Sequence, residues 1–185
     1  MKEYPNLKPI FASSTMHVWF DNKKVQFSNN IIYDYLDLRN NSSWKSFKHF
    51  LAEPKNYEQE ITTNWNNLQM FLDQERNIIN GIDVNLKVQH CGIQFRDQFH
   101  PFVKWIVEFE GPGHFGTNNY ENIIEQEILE YPIYSLYIFD KSTRVMEVTS
   151  SISYEINPNR RIIEYFGQKG DILNGYEKIS FSKGH

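Results

Sequence analysis

The chain has 185 residues, a formal net charge of −4, 40% hydrophobic and 16% aromatic content. That length suits one domain spanning residues 1–185, with apolar mass enough for a core, which excludes global disorder. Mild acidity with no Lys/Arg cluster excludes the footprint of a nucleic-acid binder, and the single cysteine, Cys91, excludes an internal disulfide.

Pro5 and Pro9 make the first fourteen residues an extended lead-in, and no apolar run of signal or membrane-span length follows. The chain therefore reads as soluble and cytoplasmic. Met16 to Phe20, the polar Asp21-Asn22-Lys23-Lys24 and Val25-Gln26-Phe27 predict a hairpin. Ile31 to Leu38 fits a strand or a helix equally. Ser43 is a candidate cap for a helix carrying Trp44, Phe47, Phe50 and Leu51 and ending near Pro54. The steps between Ile61, Trp65, Leu68 and Leu72 predict a helix from Tyr57 to Ile79, closed by Gly81 as a left-handed cap. Ile82 to Val88 alternates like a half-buried strand, and Cys91 to Phe99 fits a short strand or a loop.

The stretch from Phe102 to Asp140 is the most regular. Val103, Trp105, Val107 and Phe109 alternate with Lys104, Ile106, Glu108 and Glu110, which predicts a strand with one core-bound face. The loop Gly111-Pro112-Gly113-His114-Phe115-Gly116 follows. The segment Thr117 to Pro132 is expected to be helical, with Ile124 and Ile128 on its apolar side and Glu121, Glu125, Glu127 and Glu130 on its polar side. Ile133 to Asp140 is expected to be the next strand. Arg144 to Ile156, a turn at Asn157-Pro158-Asn159, Arg160 to Phe166 and Tyr176 to Phe181 complete a C-terminal run of strands. The sum is an α+β domain, its helices mainly in the N-terminal half and packed on a largely antiparallel sheet.

The loop at 111–116 matches the spacing G-x-G-x-x-G, which supports a nucleotide-binding alternative. That motif works when a helix starts inside the loop. Here Thr117-Asn118-Asn119 intervene, and glutamates rather than phosphate-friendly groups follow, so the loop reads as a mobile surface connection. Glu108 and Glu110 share a strand side beside His114, and these three are the candidate catalytic residues of a small enzyme. His90 and Cys91 are adjacent and would point apart on a strand. No histidine or cysteine spacing matches a zinc site, and no metal or cofactor is expected.

What remains is surface character. Acid and tyrosine around the glycine loop suit a basic protein partner, because a local acidic field speeds encounter and aromatics with a polar handle favour interfaces. The predicted contact residues are His114, Phe115, Tyr120, Glu121, Glu125, Glu127 and Glu130. The composition is that of a non-catalytic binding module, such as an immunity protein or antitoxin that neutralises a basic, nuclease-type toxin.

Overall fold

A computed structural model describes residues 6–38 and 46–184. Pro9 lies within a longer element than a lead-in. Strand β1 (Leu7–Asp21) and strand β2 (Lys24–Asp37) form an antiparallel hairpin with Asp21 opposite Lys24. Asn22 turns it at φ 54°, a left-handed conformation that an asparagine tolerates. The hairpin extends the predicted one, and it resolves Ile31 to Leu38 as strand up to Asp37.

Helix α1 (Phe47–Phe50) is a single turn whose Ser46 side chain accepts from the His49 N–H. The proposed Ser43 cap and Trp44 lie outside the described residues. Helix α2 (Pro54–Leu72) opens on a proline, whose missing N–H costs nothing at a first turn. Ile61, Trp65 and Leu68 pack on the core and Leu72 is buried, as their spacing predicts. The helix stops well short of Ile79. Residues beyond it form strand β3 (Arg76–Ile79), which pairs with strand β4 (Ile82–Val84). Asn80 at φ 51° and Gly81 at φ 81° make the Asn-Gly turn of this hairpin, so Gly81 serves a strand pair and not a helix cap.

Strand β5 (Lys87–Phe95) and strand β6 (Pro101–Pro112) are antiparallel neighbours, and Val103, Trp105, Val107 and Phe109 are all buried, as the alternation requires. Strand β7 (Gly116–Ile123) and the short strand β8 (Glu127–Ile128) then stand where a helix was expected. Strand β9 (Ile133–Phe139), strand β10 (Thr143–Thr149), strand β11 (Ser153–Ile156), strand β12 (Ile162–Gly167), strand β13 (Ile172–Leu173) and strand β14 (Tyr176–Lys183) complete the chain.

A seven-stranded sheet runs β11-β12-β9-β1-β2-β6-β5, and a five-stranded sheet runs β10-β14-β7-β3-β4. With 59% strand and 13% helix among the described residues, the α+β expectation with N-terminal helices is overturned: the fold is mostly β. The segment 117–132, expected to be helical, is one source of the error. Its isoleucines and glutamates satisfy a helical period, but Asn118, Tyr120 and Asn122 alternate inward, and β7 is hydrogen-bonded on both sides, to β14 and β3. Ladder pairing and burial outweigh a propensity worth a few tenths of a kcal/mol per residue.

The two sheets face each other through aromatic rings. Phe27 stacks on Phe109 at 4.5 Å, and Tyr120 from the opposite sheet meets both, at 5.1 and 5.6 Å. Phe139 and Phe181 bridge the layers at 5.3 Å. Phe109→Ala should therefore cost about 3–5 kcal/mol, the usual range for a large buried ring. Trp19→Ala, on the outward side of the same sheet, should cost a small fraction of that. Urea unfolding midpoints of the two variants decide it, and equal losses would refute this inward–outward assignment.

Candidate functional site

Strand alternation splits the seven-stranded sheet into two unlike faces. The inward side chains Met16, Val18, Val25, Phe27, Val107, Phe139 and Ile163 are buried. Outward, in cross-strand register, lie Tyr134, Ser13, Ile32 and Lys104, then Glu164, Leu136, Thr15, Asn30 and Ile106, then Ile162, Ile138, His17, Ser28 and Glu108. Every one of these outward residues is half-buried or exposed. Apolar groups are thus set among polar ones across five adjacent strands, and Trp19 on the same side is 38% exposed.

Of the predicted catalytic residues, Glu110 and His114 are each held by other groups. Glu108 and Glu110 do lie on this outward face, yet Glu110 is engaged by the Lys24 ammonium and by Gln26 Nε2 at 2.6 Å. Those two contacts hold the Glu110 carboxyl below its ordinary range, the lysine contributing most. Such a charge is a poor general base. His114 is exposed, and its Nε2 donates to the Thr117 carbonyl at 2.8 Å.

The glycine loop leads into β7, so no helix N-terminus faces it and the phosphate-cradle geometry is missing. Its conformation is fixed by buried Asn118. That side chain accepts from the His114 N–H and from Asn80 Nδ2, and donates to the carbonyls of His114 and Gly116. A Cβ at Gly111 would meet Ile79 at 2.7 Å, so this glycine permits close approach between the sheets. The loop is a pinned junction rather than the slack connection its composition suggested.

The predicted contact residues scatter. Tyr120 is buried and donates to Asn77 Oδ1 at 2.7 Å, which removes it from any surface. Glu121 accepts from the Tyr176 hydroxyl at 2.8 Å on the far side of the five-stranded sheet. Glu125, Glu127 and Glu130 are exposed along β8 and its flanks. Partial burial, and then the Glu130 charge, push the Glu127 carboxyl above its ordinary value. Phe115 is 65% exposed, with the Lys183 ammonium 5.1 Å from its ring. The absent helix is what would have aligned the four glutamates on one face.

Two acids that the sequence does not signal lie between the sheets. Asn77, Asn122 and Glu177 are cross-strand neighbours on the inward side of the five-stranded sheet, and Glu75 precedes β3 beside them. Asn122 Nδ2 donates to Glu75 Oε2 at 3.1 Å, and the Ser150 hydroxyl to Glu177 Oε1 at 3.0 Å. Both carboxyls are half-buried, and loss of water raises both above the usual range despite these donors. Cys91 is buried too, and the same loss of water pushes its thiol up to about 12, which disfavours the thiolate. Among the described residues no three His, Cys, Asp or Glu side chains gather as a metal site, and no helix is long and apolar enough to cross a membrane.

No protein-family model matches this chain, and no curated protein matches it either. Among solved structures it is similar to native yeast LTA4 hydrolase, with a TM-score of 0.37 and 8% identity over 97% of this chain. A second structure, native leukotriene A4 hydrolase from Saccharomyces cerevisiae, gives 0.33 and 8% over 96%, and yeast LTA4 hydrolase in complex with bestatin gives 0.33 and 7% over 98%. The chain spans about 30% of the first of these proteins and 29% of the other two. Likeness this slight carries no argument about activity.

The inward acids make stability depend on pH with a definite sign. Below the ordinary glutamate value of 4.5, folded and unfolded chains both hold the protons and the carboxyls cost nothing. As pH rises from there through the raised folded-state values, only the unfolded chain ionises freely, so stability is lost. The double variant Glu75→Gln/Glu177→Gln cannot ionise at these positions. Its urea midpoint should match the parent at low pH and exceed it above that window; parallel pH profiles would mean that both carboxyls are solvated.

Proposed function

We propose that this chain is a non-catalytic binding module that takes a basic protein on the outward face of its seven-stranded sheet, as an immunity protein or antitoxin covers a basic toxin. One observation carries the reading: half-buried Leu136, Ile138, Ile162 and Ile106 and exposed Trp19 share that face with Glu108, Glu110, Glu155 and Glu164. In a two-layer β fold the side away from the core is ordinarily polar. Apolar groups set in an acidic surround have the character of an interface whose centre excludes water and whose rim steers a cation-rich partner. Lys87, Lys104 and Lys24, the last engaged by Glu110, are lysines of this array, one fewer than the four acids named. The single cysteine suits an encounter in the reducing cytoplasm.

The rival position for the contact is the exposed acid group Glu125, Glu127 and Glu130 with His114 and Phe115 nearby in sequence. The two positions are separable. Leu136→Arg/Glu164→Arg should abolish capture of a basic protein from extracts of the source cells, while Glu125→Arg/Glu127→Arg/Glu130→Arg should retain it. With the recovered partner purified, Glu155→Gln/Glu164→Gln should slow association several-fold at low salt and leave dissociation nearly unchanged, the behaviour of rim charges. The reverse pattern would move the interface to β8. Failure of the parent protein to retain any basic partner would sink the proposal.

A further inference from the structure

The interior of the fold is not uniformly apolar. Near the β1–β2 turn, rings and aliphatic groups fill the space between the sheets. Toward the other end the layers separate around a cavity of about 240 Å³, lined from one sheet by Ser14, Asn29 and Tyr137 and from the other by Tyr120, Asn122 and Glu75. Ile133, Ser135 and Tyr137 also form a wall of a second cavity, of about 110 Å³, which contains Tyr165 and Glu177. Half-exposed Phe71, at the end of α2, lines the first and marks its mouth.

We infer that these adjacent compartments, which share a wall at Ile133, Ser135 and Tyr137, together bind a linear aliphatic diammonium ion, one ammonium at Glu75 and the other at Glu177, with its methylene chain along Ile133 and Tyr137. Four features of the lining carry the inference. Each compartment holds one carboxyl, and neither wall contains a lysine, arginine or histidine to neutralise it. The carboxyls are oriented by neutral donors alone, Asn122 for Glu75 and Ser150 for Glu177. An ionised carboxylate sheltered in this way is costly until a cation joins it. Aromatic faces surround the space, and ammonium groups are attracted to such faces.

Acceptors for the remaining ammonium hydrogens are present as well. Tyr165 is a wall residue of the Glu177 compartment, is 2% exposed, and carries a buried hydroxyl with no hydrogen-bond partner. Asn29 is a wall residue of the Glu75 compartment, and its buried Oδ1 is likewise unpartnered. An ammonium offers three donors and no acceptor, which suits a carboxylate, a carbonyl and a hydroxyl. A divalent metal fits poorly, because such ions gather six or more oxygen ligands at one point and here the two acids belong to separate compartments. None of this depends on the outward face.

Calorimetric titration with the α,ω-diaminoalkanes from propane to hexane, against the monoamine of equal length, tests it. At least one diamine should bind about tenfold or more tightly than its monoamine. Glu75→Gln and Glu177→Gln should each lower its affinity to that of the monoamine. Both variants replace a half-buried carboxyl by an amide of the same shape, so they should melt no lower than the parent without ligand and lose the thermal shift that the diamine gives the parent. No diamine outperforming its monoamine, or full diamine affinity in both folded variants, would overturn the inference.

Discussion

The register of β1 against its two neighbours is the constraint on which the rest depends. Met16 and Val18 turn inward only because Met16 faces Asn29 and Tyr137, and Val18 faces Phe27 and Phe139. A slip of one residue would send every inward side chain of a strand to solvent, so pairing and burial specify each other. Fixing β1 and β2 also fixes β6 through the Phe27–Phe109 pair, and with it the stack that receives Tyr120 from the other sheet. The inner chamber and the outer array are then two products of one alternation.

Much of that alternation was legible in the amino-acid order. Val103, Trp105, Val107 and Phe109 declare a one-sided strand, Val25 and Phe27 complete a hairpin, and Ile61, Trp65, Leu68 and Leu72 declare the helix face. What failed was where polar residues occupy inward positions. Asn118, Tyr120 and Asn122 face the core of β7, so period two is invisible to a reading that seeks hydrophobic alternation. Ile124 and Ile128 supplied a competing helical step. The Asn80-Gly81 pair is a strong hairpin signal, but it follows a helix pattern closely enough to be taken for its cap.

The candidate sites were legible to a smaller degree. Glu108 and Glu110 were placed correctly on one side of a strand, but nothing local shows that this side carries Leu136 and Ile138 from another part of the chain. Glu75 and Glu177 are far apart in sequence and ordinary in context. Their character comes from removal of water by residues of both sheets, which only the tertiary arrangement provides. The two sites differ physically in the same way. Outside, acids keep their hydration and act at a distance; inside, they lack a countercharge and act only on what enters.

The parallel pairing of β1 with β9 carries a further implication for how the chain comes to be folded. Hairpin β1–β2 can close as soon as its own residues are available, but the opposite edge of β1 is filled only by Ile133–Phe139. During synthesis at roughly 5–20 residues per second, that edge therefore stays open for several seconds while the intervening strands emerge. An open edge is a template for pairing with any other extended chain. Ser13, Ser14 and Thr15 occupy the middle of that waiting edge, with none of the charges or prolines that usually guard one. The nascent protein is thus most vulnerable to association with its own copies before residue 133 is made, a hazard that the finished sheet no longer displays.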